Sequence, residues 1–157
     1  MTTQQTDYAD SITTWTQRIH DNGGIAAAMD VSILEASDDH VRLQWVKNDF
    51  TRRPADGGWT GVALSAMAMG TAEIMPYANG RLAAGLVVQL DINLVANSKD
   101  ERILGEGRWM HRGGNLLTSE IRLTDGAGQL VVLATATHVP LTRPLRPDGW
   151  DHTAKAQ

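Results

Sequence analysis

The sequence predicts an α+β domain with an antiparallel six-stranded sheet and one long central helix. Six segments alternate apolar with polar residues, which is typical of strands with one buried face. Residues 61–77, between the second and third of these segments, are rich in alanine, glycine and methionine and contain no proline before Pro76. Because the late connections are too short for crossovers, neighbouring strands must run antiparallel.

Composition excludes several classes of protein. The chain has 157 residues, 42% of them hydrophobic, which suits one domain with its own core. The absence of cysteine excludes a disulfide framework, a thiolate zinc site and a cysteine nucleophile. A net charge of −4 argues against a nucleic-acid partner. No apolar run comes near the length of a bilayer span, and the polar amino terminus argues against a secretory signal. We expect a soluble, cytoplasmic protein.

The chain begins with a predicted helix over about 7–22 and continues into a β-hairpin. Apolar residues of the helix recur at spacings of four, three and four, and Asn22-Gly23-Gly24 ends it. Period-two alternation then predicts two strands joined by a turn at 37–39. The apolar positions of these strands are Met29, Val31 and Ile33, and then Val41, Leu43 and Trp45.

The central helix has two apolar faces. At about 100° per residue, one face carries Leu64, Met67, Ala68, Thr71 and Met75. The opposite face carries Val62, Ala66, Met69 and Glu73, the only charge on the helix. This pattern predicts a helix that is buried on nearly all sides.

Four further strands are predicted as a meander, followed by a tail over 142–157. They cover about 86–94, 102–112, 116–124 and 130–139, and prolines beginning at Pro140 end regular structure. One helix covers only part of a six-stranded sheet. We therefore expect a second subunit to complete the core and shield the edges, as a homodimer or homotetramer.

Three stretches carry a resemblance to a known family. Residues 57–62 (GGWTGV) lead into a small-residue helix, 86–94 (LVVQLDINL) follow it, and the late strands contain 111–114, 123–126 and 134–137. Over about 24–141 the sequence resembles the hotdog-fold acyl-CoA thioesterases of the phenylacetate-pathway and 4-hydroxybenzoyl-CoA type. The resemblance implies a sheet wrapped around the helix, active sites at subunit interfaces, and hydrolysis of an acyl-CoA thioester. Coenzyme A would enter as part of the substrate, without another cofactor.

The usual catalytic residues of that family are missing here. Aligning Gly61 with the first glycine of the family's G-x-V-H-G-G element puts Thr60 at the histidine position. The family's acidic residue then falls on Met69, which is neither a nucleophile toward a thioester nor a base at neutral pH.

Three residues are the predicted catalytic set. Thioester hydrolysis needs a carboxylate, as nucleophile or base, and N–H donors for the developing oxyanion. Glu73, one turn after Met69, is the candidate carboxylate, and the Gly61 amide is the candidate oxyanion donor. Thr60 is a candidate for substrate contact and equally for the helix N-cap.

The predicted substrate-binding residues come from the loop, the helix and the later strands. They are Asn48, Asp56, Trp59, Met69, Gln89 and Arg112. Asp56 is also a weaker candidate for the catalytic carboxylate. Candidates for the phosphates of coenzyme A are Arg81, Arg108, His111 and Arg112, because guanidinium groups match phosphate geometry. The five histidines lack metal-ligand spacing, so no metal is expected.

Two functions remain open from the sequence. The first is an acyl-CoA thioesterase that uses Glu73 and the Gly61 amide. The second is a non-catalytic acyl-CoA or small-ligand binding protein on the same scaffold, which Met69 at the acid position favours. A hotdog-type hydratase is a third possibility, but the Asp/His pair it needs is not visible.

Overall fold

The central helix and the six strands lie where the sequence predicts them. The computed structural model describes residues 16–17, 20–21, 24–37, 39–77, 85–113 and 115–140. Of the predicted amino-terminal helix, residues 16, 17, 20 and 21 are described and helical. The remainder of that prediction, the tail over 142–157 and Arg81 lie outside the described residues. The elements are α1 (Gly24–Ala28), β1 (Val31–Ala36), β2 (His40–Val46), α2 (Gly61–Ile74) with a 3-10 turn (Met75–Tyr77), β3 (Gly85–Leu94), β4 (Arg102–Gly113), β5 (Leu116–Asp125) and β6 (Leu130–Pro140).

The sheet is antiparallel, with the strand order β1-β2-β4-β5-β6-β3. The predicted four-strand meander is therefore wrong for β3, which pairs with β6 and not with β4. The reason lies in the connection after β3, which crosses the end of the sheet instead of forming a hairpin. Val95 and Ala96 donate to the carbonyl of Val131, and the Lys47 N–H reaches the carbonyl of Glu101. As a result, β3 forms one edge of the sheet.

Among the residues that the structure describes, one face of α2 is fully buried. That face packs on the inner side of the sheet and comprises Ala63, Leu64, Met67, Ala68, Thr71 and Ala72. On the opposite face Val62 is 79% exposed, and Glu73 is exposed as well. In the described part of one chain, burial on nearly all sides is therefore wrong, because this second face is exposed at Val62 and Glu73 and only half-buried at Ala66 and Met69.

The outer face of the sheet carries charges of alternating sign. Arg42 lies opposite Glu35 on one neighbouring strand and opposite Glu106 on the other. Glu106 in turn lies opposite Arg122. Opposite charges across neighbouring strands are favourable, and such a row suits a solvated surface. The sheet thus has one charged face and one face that is occupied by α2.

Two glycines of β4 let the second half of α2 lie close to the sheet. A Cβ atom on Gly105 would be 2.8 Å from Thr71 Oγ1, and one on Gly107 would be 2.6 Å from Met75 Sδ. Real Cβ atoms do not approach other atoms this closely. Thr71 and Met75 therefore occupy the space that the Cβ atom of any residue other than glycine would need at these two positions. Gly105 and Gly107 are thus part of the helix packing, whereas Glu106 between them lies on the outer face.

We predict that Gly107→Ala lowers the free energy of unfolding by about 1–3 kcal/mol, because the added methyl group overpacks the Met75 contact. Urea unfolding measures the loss. Met75→Ala removes the clashing sulfur, so it should destabilise the Gly107→Ala protein much less than it destabilises the wild type. Equal effects of Met75→Ala in both backgrounds would contradict this packing.

Candidate functional site

The start of α2 is built around Thr60 and Gly61. Thr60 is the N-cap, with φ −74° and ψ 147°, and its Oγ1 accepts a hydrogen bond from the Ala63 N–H at 3.1 Å. The structure confirms the predicted capping role. Gly61 is the first helical residue, so its N–H has no acceptor within the helix. Because Gly61 is exposed, this end of the helix offers a polarised donor to a ligand.

The loop before α2 is held by two residues that satisfy four consecutive carbonyls. Residues 98–101, which lead into β4, accept all four bonds. Trp59 donates its backbone N–H to the carbonyl of residue 98 (3.3 Å) and its indole N–H to that of residue 100 (2.9 Å). Lys47 donates its Nζ to the carbonyl of residue 99 (2.6 Å) and its backbone N–H to that of residue 101 (2.8 Å). The chain that enters α2 is thereby tied to the end of the sheet.

Trp59 lies in the core. Its side chain is 0% exposed, and Lys47 Nζ lies 5.4 Å from its ring centroid, within cation–π range. Trp59 is one of the predicted substrate contacts. Its placement gives that role no support, because the indole presents no surface to a ligand in this conformation.

Asp56 is held in the loop by its neighbours. Its carboxylate accepts hydrogen bonds from Arg53 Nε at 2.8 Å and Nη2 at 2.5 Å, and from the Gly58 N–H at 3.0 Å. The Arg53 guanidinium, with help from the Gly58 N–H, holds the pKa of this carboxyl well below its usual range. Asp56 is thus a carboxylate engaged in shaping the loop, and a poor base.

Asn48 also organises the loop. Its side-chain oxygen accepts from the N–H groups of Phe50 at 3.0 Å and Thr51 at 3.1 Å. Its side-chain nitrogen donates to the carbonyl of Ala28 at 2.7 Å, which ties the loop to α1. These bonds use both ends of the amide, so Asn48 has the hydrogen bonds of a residue that stabilises a turn.

Glu73 and Met69 lie on the uncovered face of α2, away from the helix start. Glu73 makes no hydrogen bond or ion pair with the described residues, and partial desolvation raises the pKa of its carboxyl. At 1.5 Å per residue, Glu73 lies about 18 Å along the helix from Gly61, and Met69 about 12 Å. The side chain of Glu73 cannot span that distance, so the Gly61 amide and the Glu73 carboxylate of one chain do not meet.

Gln89 and Arg112 lie on separate strands. Gln89 is exposed on β3 and donates to Asp91 at 2.8 Å, whereas Arg112 is exposed on β4 and pairs with Asp39. Arg112 is also far from the helix start. Leu94, which lies beside Gly61, pairs with Val132 of β6. Arg112 pairs with Leu117 of β5, which in turn pairs with His138 of β6. Val132 and His138 are six residues apart on β6, which corresponds to about 20 Å along the sheet.

Two other candidates for phosphate binding, Arg108 and His111, lie on the same strand as Arg112. Arg108 is exposed on β4 and engaged with Glu106, whose Oε1 lies 2.7 Å from its Nε and 2.6 Å from its Nη2. His111 is exposed near the end of the same strand. The structure therefore brings together the predicted loop residues at the start of α2 and leaves Arg108, His111 and Arg112 in the second half of β4, away from that site.

Two inward-facing polar residues, Lys47 and His138, are not among the predicted site residues. Lys47 continues the row Val41, Leu43 and Trp45, and its side chain is 0% exposed. His138 continues the buried row of β6 in the same way and is 0% exposed. Both residues lie at a spacing of two from the last buried apolar residue of their row. The alternation of buried and exposed positions that predicts the strands therefore also predicts that these side chains point inward.

His138 forms a buried polar pair with Ser119. Its Nε2 lies 2.8 Å from Ser119 Oγ, and the Trp109 ring packs edge-on with centroids 5.0 Å apart. Burial lowers the pKa of His138 to about 4, so the imidazole is neutral at pH 7. Both side chains are fully buried, which makes this pair part of the core and not of the exposed site.

No group of three or more histidine, aspartate or glutamate side chains in the described part of the chain is placed to hold a metal ion. None of the described helices combines the length and the apolar character needed to cross a bilayer.

The fold is the hotdog fold of thioesterase-superfamily structures. No protein-family model matches the sequence, and no curated protein matches it. Solved structures do match in fold. Zebrafish thioesterase superfamily member 2 superimposes with a TM-score of 0.71 at 20% sequence identity, covering 82% of this chain and 97% of that one.

Two bacterial structures show the same likeness. A variant of a thioesterase from Staphylococcus aureus matches with a TM-score of 0.65 at 19% identity, over 73% of this chain and 95% of its own. A hypothetical thioesterase from Streptococcus pneumoniae, solved with coenzyme A, matches with a TM-score of 0.64 at 20% identity, over 71% and 88%. At these identities the likeness establishes the fold, and the active-site residues must be argued from this chain.

Proposed function

We propose that this chain binds acyl-CoA thioesters and hydrolyses them at a site shared by two copies. The observation that carries the proposal is the capped start of α2, where the Gly61 N–H is exposed and has no acceptor within the helix. The fold adds support, because a neighbour with the same fold was solved with coenzyme A. The proposed reaction needs no metal and no cofactor beyond the coenzyme A of the substrate.

The proposed chemistry divides between two groups. The Gly61 N–H donates a hydrogen bond to the thioester oxygen and stabilises the negative charge that develops there. Glu73 takes a proton from water as the water oxygen adds to the carbonyl carbon, and the tetrahedral intermediate then expels the coenzyme A thiolate, which receives that proton. The raised pKa of Glu73 suits this role, since a more basic carboxylate is a better proton acceptor.

A second copy supplies what one chain lacks. Because Gly61 and Glu73 of one chain lie about 18 Å apart along α2, a site that uses both must take one from each copy. The uncovered surface suits such an assembly, since β3 is an open edge and Val62, Leu94 and Val95 are 79%, 52% and 56% exposed. We propose a homodimer through this surface, alone or as half of a tetramer.

The second candidate function is binding without catalysis. Met69 favours it, because a thioether at the family's acid position supplies neither a nucleophile nor a base. Glu73 lies a full turn further along α2, about 6 Å from that position along the helix axis. A wild-type protein that binds acyl-CoA and turns over no member of an aromatic and medium-chain panel would support this function and contradict hydrolysis. The expected cytoplasmic location stays a prediction under either function.

The role of the Gly61 amide can be tested by removing one N–H group. Proline is tolerated at the first helical position, and the extended Thr60 backbone, with ψ 147°, suits a residue before proline. We predict that Gly61→Pro folds and lowers kcat/KM for acyl-CoA by about 100- to 1,000-fold. Gly61→Ala is the control because it keeps the N–H, and its Cβ would lie 3.4 Å from Leu94 Cδ1, an ordinary contact. Equal activity of the two variants would contradict the oxyanion role.

The role of Glu73 can be tested by substitution and by the pH dependence of turnover. Glu73→Gln should lower kcat by about 100-fold or more, because the amide cannot accept the proton. In the wild type, turnover should rise with pH through the pKa of Glu73, which is raised above that of an ordinary glutamate. The acidic limb should vanish in Glu73→Gln. Glu120→Gln, on the outer face of β5, should keep both rate and pH profile. Unchanged turnover in Glu73→Gln would exclude Glu73 as the base.

A further inference from the structure

Lys47 is a charged residue in a place that would suit an apolar one. It follows β2 in the inward-facing row and its side chain is 0% exposed, whereas that of its carboxylate partner Glu101 is 65% exposed. Nζ donates to the carbonyls of Lys99 at 2.6 Å and Gly57 at 3.1 Å and lies 3.7 Å from Glu101 Oε1. Burying a charge is costly unless it is paired and hydrogen-bonded, and Lys47 meets both conditions.

The two carbonyls that Lys47 binds belong to different loops. Gly57 lies three residues before the N-cap of α2, and Lys99 lies three residues before β4. Gly57 has a positive φ of 73°, a conformation that few residues other than glycine adopt. Lys47 therefore joins the turn that leads into the helix to the segment that leads into the centre of the sheet.

Trp59, two residues after Gly57, makes a second connection between the same two loops. Its backbone and indole N–H groups bind the carbonyls on either side of Lys99. The N-cap itself is fixed next, because the Thr60 N–H donates to the carbonyl of Thr51 at 3.0 Å. Each residue from 57 to 60 is thus attached to another part of the chain, except for Gly58, which binds the carboxylate of Asp56.

We propose that Lys47 and Trp59 act as one clamp that positions the Gly61 amide for the ligand. This inference depends on the proposed function of that amide. Lys47 is a positioning residue and not a catalytic one, because its enclosed Nζ is bound to backbone carbonyls and cannot contact substrate. An apolar residue would fill the same space but would leave the carbonyls of Gly57 and Lys99 without Lys47 as a partner, so the first turn of α2 would lose its fixed direction.

The clamp can be tested without a substrate. Lys47→Met keeps the approximate length of the side chain and removes the donor, and Glu101→Gln is the control that alters only the exposed partner. NMR should show that Lys47→Met shifts the Gly61 amide resonance. Hydrogen exchange of the Ala63 amide, which binds Thr60 Oγ1, should be about tenfold faster, whereas amides between β4 and β5 should exchange as in the wild type. Glu101→Gln should change neither signal, because both bonds from Lys47 Nζ to the backbone carbonyls remain and the glutamine oxygen can still face Nζ.

Catalysis gives the second measurement. Lys47→Met should lower kcat about 10- to 100-fold with a smaller change in KM. The reason is that a displaced oxyanion donor weakens a hydrogen bond that stabilises the transition state more than the bound substrate. Trp59→Phe removes one N–H and keeps a ring, so it carries the same tests if Lys47→Met does not fold. In a double-mutant cycle the two substitutions should be less than additive, as for residues that act as one unit.

The outcomes separate the clamp from the proposed function. The clamp would be overturned, whatever the activity, if Lys47→Met and Trp59→Phe gave the same Gly61 and Ala63 signals as Glu101→Gln. A wild-type protein that neither binds nor hydrolyses acyl-CoA would overturn the proposed function, while the amide signals would still show whether Lys47 and Trp59 fix the start of α2.

Discussion

The close contact between one face of α2 and the inner face of the sheet is the constraint on which the rest of the structure depends. Thr71 and Met75 lie over Gly105 and Gly107, where any Cβ atom would collide with them. This contact sets the height of the helix above the sheet and decides which of its faces is buried. It also leaves the opposite face exposed in the described part of the chain, with Val62 at one end and Glu73 near the other.

That one-sided packing shapes the proposed chemistry. The polarised start of the helix and its only carboxylate both lie on uncovered surface, but they are separated by three turns of helix. A hydrolytic site can use both only if a second α2 brings its Glu73 to the Gly61 of the first. The clamp of Lys47 and Trp59 then has a purpose beyond stability, because an oxyanion donor at an interface must be held by its own chain before the partner arrives.

Much of the fold, and less of the site, could be predicted from the sequence. Period-two alternation locates strands and buried faces, but it does not say which strands pair, so the position of β3 beside β6 was missed. Thr60 was identified as a cap because the preference of threonine for that position is local. The sequence predicts ligand contacts for Trp59 and Asp56, because it does not contain the loop geometry that gives them their partners, the carbonyls of residues 98 and 100 and the Arg53 side chain. Lys47 was overlooked because a lysine at an inward position is uncommon.

The central claim is that the site takes Gly61 from one chain and Glu73 from another, and mixing two inactive variants tests it most directly. In a mixed dimer of Gly61→Pro and Glu73→Gln, one of the two sites retains both groups. Random re-association should therefore restore about a quarter of wild-type turnover, since half the dimers are mixed and each carries one intact site. No recovery, in a sample where mass spectrometry shows mixed dimers, would contradict the account.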